Sequence, residues 1–117
     1  MTLHPVCPST QLDEGGLGYR FGVIIDNETL PAFAVRYQGQ AQVYLNRCAH
    51  IPVELDFMPA DFFDSSKTWL ICATHGALFN PQDGHCVSGP CAGQSLYKLN
   101  STEQNGMVMI QYPTVDD

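Results

Sequence analysis

Two short Cys/His pairs constrain this chain more than any other feature of its sequence. The first pair is Cys48-Ala49-His50, the second is Cys72-Ala73-Thr74-His75, and 21 residues separate them. Thiolate and imidazole are ligands that both iron–sulfur clusters and zinc accept. Four such ligands in two short segments predict one metal site, so the fold has to bring the two segments together.

The segments that flank the pairs are typical of β-strands. Residues 33–37 and 41–45 alternate around Gln38-Gly39, which predicts a hairpin that ends at the first pair. Residues 67–75 predict a strand that runs directly into the second pair. Both pairs are therefore expected where strands give way to loops.

The rest of the chain predicts further strands and turns. Residues 19–26 are expected to form the first strand. Pro81 and Asp83-Gly84 indicate the turn of a second hairpin, and Asn105-Gly106 indicates that of a third. The total is about seven strands without a convincing helix. Residues 57–66 lack a clean period and are expected to form a loop with one helical turn.

Length, charge and cysteine content exclude several classes of protein. A chain of 117 residues fits one domain. A net charge of -7 with only five Lys and Arg residues argues against nucleic-acid and anionic-membrane partners. No export signal and no apolar run of ~20 residues is present, so we expect a cytoplasmic protein. Five cysteines, an odd number, then favour metal binding over a secreted disulfide framework.

The arrangement of the ligands favours iron over zinc. Zinc fingers usually gather two cysteines in one short element and two histidines in another. Here each loop supplies one cysteine and one histidine, which suits two adjacent irons. A tetrahedral zinc site and a chain without metal remain as alternatives from the residues alone.

These motifs resemble those of the Rieske 2Fe-2S proteins. The resemblance covers nearly the whole chain and rests on "CAH" at 48–50, "CATHGALF" at 72–79 and "SGP" at 88–90. It implies one cluster with two cysteines on one iron and two histidines on the outer iron, covered by a glycine-proline loop. The implied residues are Cys48 and Cys72, then His50 and His75, and finally Gly89 and Pro90.

The resemblance also implies the fold and its division. We expect an all-β Rieske fold in which small antiparallel sheets form a base from residues 1–45 and 93–117. A two-loop cluster-binding subdomain, residues 46–92, is inserted into this base, and the whole chain forms a single domain. The gap between the pairs is longer than in the compact dioxygenase ferredoxins, and the extra material is expected around residues 59–66.

The loops resemble those of low-potential members of the family. High-potential members carry an extra cysteine in each loop and hydroxyl groups that hydrogen-bond to sulfur. This chain has Ala77 and Phe79 at the expected hydroxyl positions, and four acidic residues are close in sequence. These acids are Glu54, Asp56, Asp61 and Asp64. Missing hydrogen bonds to sulfur and nearby negative charge both lower the potential, which predicts a value of about -150 mV.

The function that the resemblance implies is one-electron transfer without catalysis. The leading hypothesis is a ferredoxin that passes electrons from a flavin-dependent reductase to a terminal oxygenase. The alternative is a small Rieske subunit of a larger reductase complex, similar to that of nitrite reductase, and a structural zinc module is a third possibility. An oxygenase is not expected, because only His4 and His85 remain to hold a second iron.

The remaining cysteines and histidine have plain structural interpretations. Cys86 and Cys91 flank the third loop, and we expect packed thiols there rather than a disulfide. Cys7 is expected to be an incidental free thiol. His85 is expected on the surface beside a turn, and Arg47 is either a partner contact or a charge at a strand end.

Overall fold

A computed structural model describes residues 2–25, 27–47, 54–56, 60–73, 76–89 and 93–112. These residues form nine strands and one short 3-10 helix, Ser9–Gln11. The strands are β1 (Thr2–Pro8), β2 (Tyr19–Ile25), β3 (Glu28–Tyr37), β4 (Gln40–Leu45), β5 (Leu70–Ile71), β6 (Leu78–Phe79), β7 (Cys86–Ser88), β8 (Lys98–Gln104) and β9 (Met107–Tyr112). Within the described residues, no helix is long and apolar enough to cross a membrane.

The strands form two sheets of unequal size. Six strands form the larger sheet, in the order β1-β9-β8-β4-β3-β2, and we call this sheet the base. The smaller sheet has the order β5-β6-β7. Every strand pair in both sheets is antiparallel. The expected all-β architecture of small antiparallel sheets is therefore confirmed.

Two tight turns produce the predicted hairpins of the base. Gln38 and Gly39 join β3 to β4 with φ values of 52° and 80°, and Asn105 and Gly106 join β8 to β9 with 54° and 76°. Two consecutive residues with positive φ are typical of a type I′ turn, whose twist matches that of the flanking strands. Glu14 also stabilises the first turn, because its carboxylate accepts hydrogen bonds from the backbone N–H groups of Gln38 and Gly39 at 2.6 and 2.7 Å.

The β3–β4 hairpin is buried on both faces and separates two hydrophobic cores. On one face, Phe33 and Tyr44 pack with residues of the small sheet and its loops. Phe33 also stacks on Phe62, with ring centroids 3.9 Å apart and planes inclined by 12°. On the other face, Ala34 and Val43 pack against residues of β1, β8 and β9. We call these the upper core and the lower core.

Three sequence expectations about strands and loops need correction. The described strands number nine rather than about seven, and β1 is one that the sequence does not predict. The strand expected over residues 67–75 is limited to Leu70–Ile71. In the expected insertion, residues 57–59 lie outside the described residues, and residues 60–69 form a loop without a helical turn.

The order of the strands shows where the small sheet lies in the chain, whereas the predicted boundaries of the two parts remain a prediction. The base is built from residues 2–45 and 98–112, and the small sheet lies between residues 70 and 88. The small sheet is thus inserted between β4 and β8, which pair directly through Val43 with Leu99 and Tyr44 with Lys98.

Candidate metal centre

The described part of the chain includes two of the six residues that the motifs predict at the site. Cys72 and Gly89 are described, and each lies at the end of a strand of the small sheet. The other four predicted residues lie outside the described residues: Cys48, His50, His75 and Pro90.

Cys72 follows β5 directly and begins a closed turn. Its backbone N–H donates to the Ala77 carbonyl at 2.9 Å, and its own carbonyl accepts from the Gly76 N–H at 2.8 Å. Gly76 has a φ of 71°, a conformation that glycine adopts without steric cost. Cys72 itself has no solvent-exposed surface. Two hydrogen bonds therefore join Cys72 to Gly76 and Ala77, the first described residues after the second Cys/His pair.

The segment after β7 lies directly against this turn. Gly89 has a φ of 106°, and a Cβ atom added to it would lie 2.8 Å from Cα of Ala77. Because real Cβ atoms do not approach a backbone atom so closely, only glycine fits at this position. The close approach places the start of the third loop beside the turn that follows Cys72, which is consistent with a loop that covers the cluster.

Asn46 and Leu55 join the two ends of the segment that contains the first Cys/His pair. The Leu55 N–H donates to Oδ1 of Asn46 at 2.8 Å, and both residues are buried. The Leu55 carbonyl accepts the Ala73 N–H at 2.9 Å. Ala73 follows Cys72, so a hydrogen bond links the first ligand segment to the second.

A charged network continues from Asn46 towards strand β2. Nδ2 of Asn46 donates to Oδ1 of Asp56 at 3.0 Å, and Oδ2 of Asp56 accepts the Ala60 N–H at 2.8 Å. Nε of Arg20 lies 3.2 Å from Oδ2 of Asp56, whose side chain is only 1% exposed. Arg20 also contacts the exposed Glu54 at 3.3 Å. Sequence reasoning treats Asp56 as one of several nearby acids and does not single out Asn46 or Arg20.

The surroundings of Cys72 are apolar. Ala77 and Phe79, at the positions where high-potential relatives carry hydroxyl groups, are fully buried and have no side-chain donor. Leu55 and Phe62 belong to the same buried cluster as Cys72. A cysteine without solvent-exposed surface is suited to bind iron as a thiolate, because the metal replaces the lost solvation of the charge.

The other acids expected near the site differ in their environments. Asp61 is exposed, whereas Asp64 caps a turn. Burial alone would raise the pKa of Asp64, but hydrogen bonds from Ser66, Trp69 and Thr68 outweigh it and lower the pKa. The Asp64 carboxylate therefore stabilises the loop that it belongs to by accepting these hydrogen bonds.

The structure describes four of the five residues that have plain interpretations. His85 is exposed beside the turn before β7, with Nδ1 3.4 Å from Oγ of Ser95. Cys7 is a buried free thiol whose pKa is raised by burial. Cys86 is buried and its Sγ lies 3.3 Å from the Ser88 carbonyl, while Cys91 lies outside the described residues. Arg47 is exposed.

Comparison with protein families identifies the chain. The family model for the Rieske 2Fe-2S domain matches residues 2–112. The chain belongs to the Rieske family. A Rieske domain carries one Rieske-type 2Fe-2S cluster, and the buried cysteine, its closed turn and the close approach of Gly89 fit such a cluster. No match exists among curated protein sequences.

Solved structures with the same fold include both carriers and oxygenases. The ferredoxin of carbazole 1,9a-dioxygenase from Nocardioides aromaticivorans IC177 is 18% identical, with a TM-score of 0.71, over 94% of this chain and 97% of that one. The terminal oxygenase of carbazole 1,9a-dioxygenase from the same organism is 18% identical, with a TM-score of 0.73, over 96% of this chain and 30% of that one.

A third match comes from a complex of the two kinds of protein. It is the reduced complex between oxygenase and ferredoxin in carbazole 1,9a-dioxygenase, 21% identical with a TM-score of 0.72. The match covers 92% of this chain, which spans 27% of the length of the matched chain. At these identities, the three matches show that the Rieske domain shares its fold with them.

Proposed function

We propose that this Rieske domain is a one-electron carrier whose cluster is held by Cys48, His50, Cys72 and His75. The observation that carries the proposal is the buried Cys72 at the start of a hydrogen-bonded turn, which is joined through Ala73 to the end of the first ligand segment. The two cysteines would hold one iron and the two histidines the other. When bound, the cluster supplies a site that accepts and donates one electron.

The residues around the cluster would exclude water from it and set its reduction potential. The apolar side chains at positions 77 and 79 leave the cluster sulfur without hydroxyl donors from these positions. Gly89, together with Pro90, would cover the cluster from the side of the third loop. The acidic residues nearby raise the energy of an added electron, so the expected potential stays at the low end of the Rieske range, about -150 mV.

The proposed partners are a flavin-dependent reductase as donor and a terminal oxygenase as acceptor. Support for the acceptor comes from the matched carbazole dioxygenase system, in which a ferredoxin forms a complex with an oxygenase. We propose no catalytic residue in this chain, which would act as a component of a redox system. The cytoplasmic location and the lack of nucleic-acid and membrane partners stay predictions from the sequence.

We also propose that residues 1–117 form one Rieske domain, with a base from residues 1–45 and 93–117 and a cluster-binding subdomain over residues 46–92. A second candidate function is that of a Rieske unit inside a larger oxidoreductase, as in the nitrite-reductase-like alternative. The observation that favours it is the match to a terminal oxygenase chain, of which this domain spans 30%. Co-purification with a large flavin or haem subunit would favour this candidate over a separate ferredoxin.

The test is an EPR-monitored redox titration of protein purified without air. We expect a rhombic Rieske signal with an average g value below two and a midpoint at the low end of the range. The variant Cys72→Ala should lose the signal, whereas Cys7→Ala, which removes a buried thiol from the lower core, should keep it. A colourless zinc protein, or a full signal in Cys72→Ala, would contradict the proposal, and a high midpoint would indicate a quinol-linked partner instead.

A further inference from the structure

Asn46 is a buried polar residue whose side-chain oxygen and nitrogen both have hydrogen-bond partners. Its exposed fraction is 1%, and the only other buried polar residue among those described is Gln42. Burial of an amide is unfavourable unless its donors and acceptors are paired. The backbone N–H of Asn46 donates to the Pro31 carbonyl at 2.8 Å, and its side chain bonds Leu55 and Asp56. Asn46 is therefore held by two bonds to its side chain and one to its backbone.

The side-chain bonds of Asn46 lie where the first ligand segment begins and ends. The chain from Asn46 to Leu55 contains Cys48 and His50, and the 2.8 Å bond between the two terminal residues closes it into a loop. Leu55 also contacts the second ligand segment, because its carbonyl accepts the N–H of Ala73. The Asn46 side chain and two peptide groups thus connect the residues that flank the first pair to the residue after Cys72.

Asp56 and Arg20 attach this connection to the base. The Asp56 carboxylate is almost fully buried, and its charge is balanced by Arg20 of strand β2. Its two oxygens accept hydrogen bonds from Asn46 and from the Ala60 N–H, and Oδ2 also forms the ion pair with Arg20. A buried charge that loses one of its partners becomes strongly unfavourable, so the network resists partial opening.

We propose that Asn46 is a positioning residue that holds the two ligand loops at the separation the cluster requires, with Asp56 and Arg20 as its support. The inference rests on the proposed function, because it concerns the loops that carry the proposed ligands. Four ligands from two loops bind a cluster more tightly when surrounding hydrogen bonds hold the loops close to the binding geometry. Loss of the Asn46 network therefore acts on retention of the cluster.

Two single substitutions and their combination test this role. Asn46→Asp keeps an oxygen for the Leu55 N–H but sets a second carboxylate against Asp56, and Asp56→Asn removes the charge that Arg20 balances. The double variant, Asn46→Asp with Asp56→Asn, exchanges the donor and the acceptor and restores their hydrogen bond. Cluster loss is followed by bleaching of the visible absorbance in excess EDTA, and the linewidth of the EPR signal reports the geometry.

We expect each single variant to lose its cluster on the order of tenfold faster than wild type, with a broadened EPR signal, and the double variant to recover most of the difference. The matched control is Glu103→Gln, which disrupts the Arg36–Glu103 ion pair on the base. It should lower thermal stability but leave the rate of cluster loss unchanged after correction for global unfolding.

The outcomes separate this inference from the proposed function. A wild-type protein without a Rieske signal would remove the proposed function itself. A wild-type signal, together with single variants that are less stable but lose the cluster at the wild-type rate, would overturn the role of Asn46 alone. If neither single variant folds, Arg20→Gln decides, because the side chain at position 20 is 41% exposed and glutamine keeps a donor for Asp56: faster cluster loss supports the role, and an unchanged rate overturns it.

Discussion

Arg36 joins four segments of the base through a fully occupied guanidinium group. Its Nε donates to the Leu12 carbonyl at 2.9 Å, and its two terminal nitrogens donate to the carbonyls of Gly39 and Ser9. Each terminal nitrogen also bonds one carboxylate oxygen of Glu103 at 3.1 Å. All five N–H donors of a guanidinium group are therefore used. A bidentate pair of this kind is stronger than an ordinary surface ion pair.

The charge of Glu103 should make this contribution depend on pH. The hydrogen bond from Arg36 lowers the pKa of Glu103 in the folded state, although burial opposes part of the effect. A lowered pKa stabilises the fold above the pKa of the unfolded chain, about 4.3, and the gain disappears as the pH falls through the folded value. We expect Glu103→Gln to cost about 1.5 kcal/mol near neutral pH and much less in acid, measured by urea unfolding. An equal cost at both pH values would contradict this assignment.

At the scale of the elements, two turns contain glycines of the same conformation in different surroundings. Gly106, between β8 and β9, has a φ of 76°, and an added Cβ would meet nothing within 4 Å. Gly84, between β6 and β7, has a φ of 77°, but its Cβ would lie 2.8 Å from the Tyr44 ring. The Tyr44 hydroxyl donates to the Pro81 carbonyl at 2.6 Å, which holds the ring in place.

Replacement of each glycine by alanine should separate the cost of conformation from that of packing. Gly106→Ala is expected to lower the free energy of unfolding by about 1 kcal/mol, because only the left-handed backbone is strained. Gly84→Ala adds overpacking against Tyr44 and should cost about 3 kcal/mol. Urea unfolding of both variants measures the difference, and Gly106→Asn serves as a control that tolerates positive φ. Equal costs for the two alanine variants would show that the Tyr44 ring moves aside.

The same elements show what can be predicted from sequence. Both type I′ hairpins are confirmed because their signals are local, two turn residues between alternating strands. Strand β1 is not predicted from the sequence, because prolines such as Pro5 and Pro8 are rare in β-strands except at the edge of a sheet. It lies at the edge of the base and pairs only with β9, more than 90 residues away, so tertiary pairing alone produces it.

At the scale of the whole molecule, some residues of the site can be predicted from the sequence and others cannot. The candidate ligands could be selected because two cysteines and two histidines at this spacing seldom occur together except at a metal site. Asn46 could not be selected, because its side-chain partners, Leu55 and Asp56, are 9 and 10 residues away. Arg20, which balances the charge of Asp56, lies 36 residues before Asp56 in the sequence. A polar residue after a strand predicts a surface loop unless the fold is known to bury it. Such networks carry no spacing pattern and become visible only in three dimensions.

The two cores differ in their dependence on the inserted segment. The buried residues of the lower core all come from the base, from Cys7 to Leu45 and from Leu99 to Ile110. The upper core draws most of its buried residues from the segment between β4 and β8, including Leu55, Phe62, Cys72 and Phe79. The strands of the small sheet are only two or three residues long, too short to be stable alone. The small sheet therefore depends on packing and, in our proposal, on the cluster.

Removal of the iron should consequently loosen one part of the molecule and spare the other. We expect the metal-free protein to retain hydrogen-exchange protection in β3, β4, β8 and β9, because the lower core does not involve the ligand loops. Exchange should accelerate by at least about tenfold in β5–β7 and at Ala73, whose N–H bond to Leu55 joins the two ligand segments. Hydrogen-exchange mass spectrometry of the loaded and metal-free protein measures both regions at once. Uniform loss of protection would mean that the base cannot fold without the cluster, and unchanged protection in β5–β7 would mean that packing of the upper core alone holds the small sheet.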